Sequence, residues 1–404
     1  MRSMSTTNRW VILVLSLAGL GFAGASTWVH YRLLTDPSYV SPCDVNATFN
    51  CTQAYLSRFG TVAGIPVAIG GLVWFGLTAL IVAFARPTSG PSAASGYLFA
   101  LSIVGLGTVL YLGYVSYAVL ATGCLLCIGT YVCVAGIFGV TAASRPLSLS
   151  ALPGRLSQDL RSVAASPLIL VSVLAYLTAS VGAVAMFPSE EEAARRAAAS
   201  PAPSSGEQLD FATAWARQPR VELGVAAEGV RVVIVKFNDF ECPACRQSEI
   251  YYKPILEKFT ASHPGVVTYV VKDWPWNSMC NYNTMSTIRG HEAACDAAAA
   301  VRIAKDQGKD KYDEMVEWVY ANQAVSQADL RAAAQRILGI TDFEREYALK
   351  LPEIRKDIAD GGAVGINSTP TYFINGVRLP SGMRPEYVEM AINLELQGSK
   401  PTVP

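Results

Sequence analysis

Long apolar runs separated by short polar connections fill the chain as far as Phe187, after which the pattern becomes that of a water-facing domain. The runs are Trp10 to Val29, Thr61 to Phe84, Tyr97 to Thr122, Cys124 to Ala143 and Pro167 to Phe187. Each is near or above the roughly 20 residues that cross a bilayer, so they predict five transmembrane helices. Glu190 to Gln208, rich in Ala, Ser, Pro and Glu, has no apolar periodicity and reads as a linker. A flexible segment of that length reaches on the order of 25 Å r.m.s., enough for a tethered domain to visit the membrane surface. Beyond it, Val230 to Phe237 reads as a strand, Cys242 opens a helix through Phe259, and Val266 to Lys272 is a second strand. Ala-rich helical sequence fills Glu292 to Gly361, Thr371 to Ile374 and Val377 to Leu379 form a hairpin across Asn375-Gly376, and a last helix runs from Pro385 to Leu394. The expected fold is multi-domain: an all-α transmembrane helix bundle over 1–145, a cytoplasmic loop and fifth membrane helix over 146–189, a linker over 190–208, and an α/β domain over 209–404.

Composition agrees with a chain that is part membrane protein: 404 residues are 51% hydrophobic and 16% charged, where soluble domains carry roughly 25% charge. Basic and acidic residues balance at 32 each, and no basic cluster with interleaved aromatics appears, which argues against nucleic acid as a partner. Arg2, Arg9, Arg86, Arg145, Arg155 and Arg161 fall on one side of the five predicted helices, against Arg32 and Arg58 on the other. The positive side is cytoplasmic by the loop-charge rule. The first helix has a rival reading as a cleaved signal peptide, since Ala23-Gly24-Ala25 resembles a small-residue cleavage site.

Nine cysteines change the picture, because eight of them divide into pairs, as in proteins of oxidising compartments. Cys43/Cys51, Cys124/Cys127 and Cys242/Cys245 all fall on the outward side, one pair at the bilayer edge, and suggest a path for two-electron thiol–disulfide exchange. A CxxC that follows a strand and opens a helix puts its first sulfur at the positive end of the helix dipole, so Cys242 is the expected nucleophile and Cys245 its buried resolving partner. Cys124 and Cys127 open the fourth helix, with Tyr131 one turn beyond Cys127 on the same face. Cys280 and Cys295 lack CxxC spacing and read as a structural disulfide; His291 between them reads as a surface or helix-capping residue, and lone Cys133 as an apolar residue of a membrane helix. None of the three histidines sits at zinc-ligand spacing from a cysteine pair, so no metal is expected.

Phe240-Glu241-Cys242-Pro243-Ala244-Cys245 and the distant Ser368-Thr369-Pro370-Thr371-Tyr372-Phe373 resemble the thioredoxin superfamily, especially its DsbA-like branch with a helical insertion. The resemblance implies a cis bond before Pro370, with Thr369 and Pro370 holding a substrate chain beside the cysteines. Two features depart from the pattern. Lys236 stands where many thioredoxins carry a buried acid, and a cation there would stabilise thiolates and make the disulfide more oxidising. Pro243-Ala244 also lacks the histidine of strong DsbA oxidants.

Cys43-Asp44-Val45 with Cys51, Leu56-Ser57-Arg58-Phe59-Gly60, and Cys124-Leu125-Leu126-Cys127-Ile128-Gly129-Thr130-Tyr131 resemble the vitamin K epoxide reductase family, and its bacterial members fused to a thioredoxin-like domain resemble nearly the whole chain. The resemblance implies a four-helix core plus a fifth helix. It further implies that Cys43 exchanges with the tethered domain, Cys51 attacks Cys124, and Cys127 lies beside a quinone, ubiquinone or menaquinone, with Tyr131, Ser57 and Phe59 at the pocket. The expectation is a disulfide-forming enzyme of the bacterial cytoplasmic membrane that takes electrons from reduced secreted or periplasmic proteins, its loop cysteines and thioredoxin-like domain facing the periplasm or exterior. Flow in the opposite direction, vitamin K epoxide reduction and a non-enzymatic thiol-binding chaperone are the rival readings.

Overall fold

A computed structural model describes residues 5–36, 38–45, 49–84, 93–120, 122–144, 166–190, 192, 193, 195, 203–225 and 229–398. Arg2, Arg86, Arg145, Arg155 and Arg161, on which the predicted orientation leans, and residues 191, 194 and 196–202 of the predicted linker lie outside them. The chain divides into two compact units, and each is built on its own core.

The first unit consists of α1 (Thr6–Thr35), a short α2 (Cys51–Leu56), a two-residue hairpin β1 (Thr61–Val62) and β2 (Ile65–Pro66), α3 (Val67–Phe84), α4 (Ala93–Tyr114), which continues through a π-turn at Val115–Val119, α5 (Leu125–Ala143) and α6 (Pro167–Ala185). Among the described residues, five helices are long and apolar enough to cross a membrane. Their apolar residues surround the whole helix rather than one stripe, as lipid exposure requires. The packed seam is narrow: Ile12 and Ala23 of α1 meet Phe75 of α3, Leu98 of α4 and Ile137 of α5. This makes α1 an integral helix of the bundle. Small residues let the backbones approach: a Cβ at Gly129 would come within 2.7 Å of the Phe22 ring. Polar ties cross the seams, with the Trp74 indole donating to the Leu101 carbonyl at 3.0 Å and Ser102 bonded to Thr141 at 3.0 Å. The apolar run expected as helix from Thr61 begins as the hairpin instead, because Ala63 (φ 51°) and Gly64 (φ 78°) turn the chain before Val67.

The second unit holds α7 (Ser205–Ala216), β3 (Val232–Asn238), α8 (Pro243–Ser262), β4 (Val267–Asp273), α9 (Ala294–Asp306), α10 (Lys309–Ala321), α11 (Gln327–Leu338), α12 (Phe343–Ala363), β5 (Thr371–Ile374), β6 (Val377–Arg378) and α13 (Pro385–Gln397). α7 starts inside the stretch read as linker, because Ser204 and Glu207 form a reciprocal capping box. The sheet order is β4-β3-β5-β6, with β3 parallel to β4 and antiparallel to β5. Strand β3 is buried along its whole length, and its alternation decides what lies on each face. Val233, Val235 and Phe237 join the core formed with α9 to α12, whereas Val232 and Ile234 join the core formed with α8 and α13. The same parity puts Lys236 on the α8 face, at the level of Cys245. The Thr369–Pro370 bond is cis.

Candidate functional site

In the first unit, Cys43 is paired with Cys51 and Cys124 with Cys127. Hydrogen bonds to backbone carbonyls lock the two pairs together. Asn50 N–H donates to the Gly123 carbonyl at 3.0 Å, the Thr122 hydroxyl to the Asn50 carbonyl at 3.1 Å, and the Gln53 amide to the Leu120 carbonyl at 3.3 Å. This lacing sets Cys51 Sγ 3.5 Å from Cys124 Sγ, with Cys51 fully buried and Cys124 1% exposed. Cys124 has extended backbone and acts as N-cap of α5, its sulfur accepting from Cys127 N–H at 3.2 Å. The Asp44 carboxylate lies within 4.8 Å of both loop sulfurs, but these are bonded to each other and the carboxylate accepts from Thr52 N–H at 3.0 Å.

Cys127 opens onto a cavity of about 500 Å³ between the helices, within the size of ordinary small-molecule sites. Its walls are mostly apolar, among them Phe59, Trp74 and Leu112, and Tyr131 lines it beside Cys127 as their spacing predicts. Ser57, expected at this pocket, is buried but is not among the lining residues; Tyr55, Phe59 and Gly60 of the same segment take those places. Gly60 is required there, since a Cβ would lie 2.0 Å from the Tyr55 carbonyl oxygen. Ser26 also lines the cavity, and its Oγ has no hydrogen-bond partner among the described residues. A planar apolar ring edged by carbonyl oxygens fits this donor set, the walls packing its faces and the free hydroxyl meeting an acceptor.

In the second unit, Cys242 is the N-cap of α8 with Pro243 at the first helical position, and Cys245 lies fully buried one turn on. Both are free thiols. Cys242 Sγ is 3.4 Å from the Thr369 carbonyl oxygen, so the cis-proline segment runs beside the half-buried sulfur. A hydrogen bond from Cys245 is the main influence that lowers the Cys242 pKa to about 6, burial opposes it, and the His291 cation adds to it. Burial pushes the Cys245 thiol well up.

His291 is buried, not a surface or capping residue, and its Nδ1 lies 2.8 Å from the Asp239 carboxylate. Burial disfavours its charge, but Asp239 outweighs that and lifts the imidazole to about 9. Asp239 also accepts from Glu241 N–H at 2.8 Å and Trp276 N–H at 2.7 Å, so it ties the active-site turn to the segment just before Cys280 and, through His291, to the segment enclosed by the Cys280–Cys295 disulfide. The Trp276 indole then donates to Thr369 Oγ1 at 2.9 Å. From the helical insertion, Gln323 donates to the Phe240 and Cys242 carbonyls at 2.9 Å each. Lys236 lies under the pair with Nζ 2.9 Å from Glu249 and 3.4 Å from the Cys245 carbonyl, over the faces of Tyr320 and Tyr372. Tyr55, Trp276, Asp239 and Gln323 were not singled out by sequence; only the cysteine bracket around His291 hinted at that neighbourhood.

A model of the vitamin K epoxide reductase family matches residues 10–142, and a thioredoxin model matches residues 227–394. The chain is a vitamin K epoxide reductase family domain followed by a thioredoxin-like domain. Among curated relatives, Na(+)/H(+) antiporter NhaA 1 of Salinispora arenicola is 28% identical over 173 residues, 42% of this chain and 24% of that protein. NhaA 1 of Mycobacterium sp. (strain KMS) is 30% identical over 153 residues, 36% of this chain and 22% of that protein. The chain thus spans about a quarter of the length of these relatives. Solved structures similar to it include oxidised BdbD from Bacillus subtilis (17% identity, TM-score 0.34, 45% of this chain and 98% of that one) and DsbA2 of Pseudomonas aeruginosa (22% identity, TM-score 0.31, 44% and 93%).

Proposed function

We propose that this vitamin K epoxide reductase family protein forms disulfides in secreted proteins and passes the electrons through three cysteine pairs to a membrane quinone. The observation that carries the reading is the 3.5 Å approach of Cys51 Sγ to Cys124 Sγ, next to a cavity that Cys127 lines. A substrate thiolate attacks the Cys242–Cys245 disulfide, with Thr369 and Pro370 holding its chain, and leaves with a disulfide of its own. Cys242, mostly thiolate at neutral pH, then attacks Cys43, and Cys51 departs as thiolate. Cys245 attacks Cys242 and frees Cys43. Cys51 attacks Cys124, the Cys124–Cys127 bond breaks with its electron pair on Cys127, and Cys43 attacks Cys51 to regenerate the loop disulfide. Two electrons and two protons have then moved to Cys124 and Cys127. A bound quinone supplies the two-electron, two-proton acceptor. Cys127, Tyr131, Phe59 and the Ser26 hydroxyl would hold it, and the apolar walls exclude water. In this reading all three pairs face the oxidising side of a bacterial cytoplasmic membrane, and the tether keeps the soluble domain at a concentration near about 1 mM for exchange with Cys43.

The test is quinone reduction by purified protein supplied with a reduced dithiol. Cys127→Ala should abolish turnover and accumulate a Cys51–Cys124 mixed disulfide, seen by non-reducing digestion and mass spectrometry, while Cys242–Cys245 still oxidises one equivalent of substrate thiol. Sustained turnover in that variant would remove the membrane pair from the path.

A further inference from the structure

The relay leaves one hydroxyl unused. Tyr55 stands one helical turn after Cys51 in α2, so both side chains leave the same face of that helix. Its Oη is 3.3 Å from Cys124 Sγ and 4.0 Å from Cys127 Sγ. Those two sulfurs are bonded to each other and carry no proton, so the hydroxyl is the donor. The ring is 6% exposed and stacks on His30 with centroids 5.7 Å apart and planes at 13°, and His30 in turn meets the edge of Phe187 at 5.5 Å. A phenylalanine would serve that stack and that cavity wall equally well. The hydroxyl is set beside the sulfurs that exchange.

We infer that Tyr55 is a catalytic residue of the membrane pair, its hydroxyl donating in turn to each sulfur that leaves. The inference rests on the relay proposed above. When the Cys51 thiolate forms its bond to Cys124, the Cys124–Cys127 pair of electrons goes to Cys127, and the Tyr55 hydroxyl donates to that developing thiolate. When Cys43 attacks Cys51 in the mixed disulfide, the electron pair goes to Cys124, and the same hydroxyl donates to it. Tyr55 keeps its proton throughout. Both leaving groups form where water is scarce, because Cys124 is buried and Cys127 borders an apolar cavity. An unsolvated thiolate there is costly, and a positioned donor lowers both barriers without reorganising solvent.

Tyr55→Phe in the full chain is the test, with dithiothreitol as donor and no quinone added. Samples quenched in acid and alkylated report, by mass spectrometry, the loop dithiol, the Cys51–Cys124 mixed disulfide and the Cys124/Cys127 dithiol. The expected result is that the loop pair is reduced at the wild-type rate while transfer to the membrane pair slows by at least about tenfold, as loss of one positioned donor does elsewhere. In the reduced variant, alkylation of Cys127 should also require a higher pH than in wild type. Native disulfide pairing in the oxidised variant checks that it folds. Wild-type rates of transfer together with an unmoved Cys127 profile would overturn the inference. Absence of any transfer in the wild-type chain would instead overturn the relay.

Discussion

Replacing His291 with Gln isolates the charge that the structure places beside the soluble cysteine pair. The imidazole rises from its ordinary 6.5 to about 9: burial alone would lower it, but Asp239 at 2.8 Å more than compensates. A tenfold change in proton affinity corresponds to about 1.36 kcal/mol, so the charged imidazole contributes about 3 kcal/mol to folding. Because the folded value is the higher one, this contribution is fully present below pH 6.5 and is lost as pH rises towards 9. Glutamine keeps a donor for Asp239 but no charge, so other groups cancel in the comparison of the two proteins. Urea unfolding of residues 203–404, oxidised, should show a stability gap between wild type and variant that shrinks by up to about 3 kcal/mol between pH 6 and pH 10, the Cys242 thiolate that adds to the His291 shift being absent from this form. In the reduced form, losing the cation should raise the Cys242 pKa from about 6, read from the pH profile of alkylation. The potential should fall with it, about 30 mV for each tenfold loss of thiolate. A gap that does not vary with pH, or an unchanged alkylation profile, would refute the reasoning.

Two further outcomes follow from the same domain. Glu249→Gln leaves the Lys236 ammonium, 1% exposed, without its countercharge and should cost about 3–5 kcal/mol, whereas Lys236→Met should cost far less and make the pair less oxidising; equal unfolding midpoints for the two variants would contradict this. Replacing Cys280 and Cys295 by Ser opens a loop with a sequence separation of 15 and should cost about 3 kcal/mol. The same change loosens the segment that presents His291 and should raise the alkylation pKa of Cys242; stability lost with the profile unmoved would confine that bond to a structural part.

What could be read in advance depended on whether a feature is local. The membrane helices announce themselves because lipid tolerates no long polar break, and β3 because a strand buried on both faces is apolar at nearly every position. The hairpin at Thr61–Pro66 was hidden because its only marks are Ala63 and Gly64, small residues equally at home in a membrane helix. Lys236 could be placed by strand parity, but its partner Glu249 lies on another element. The cysteine pairs were legible as spacing. Their neighbours were not: Tyr55 reaches Cys124 across 69 residues and His291 reaches Asp239 across 52, and such proximity is a product of packing. Ser57 and Phe59 share a motif, yet only Phe59 lines the cavity, since adjacent residues of a turn do not share a direction.

The burial of Cys51 and Cys124, 0% and 1% exposed, has a kinetic meaning as well as a geometric one. A small thiol such as glutathione, however abundant, cannot reach either sulfur as they stand, so in the proposed relay the step between them would answer to intramolecular geometry and not to the redox state of the surroundings. Wires that cross a solution full of competing donors leak unless they are sheathed. Here the sheath is the protein interior, and leakage is confined to the sulfurs that must meet a partner from outside.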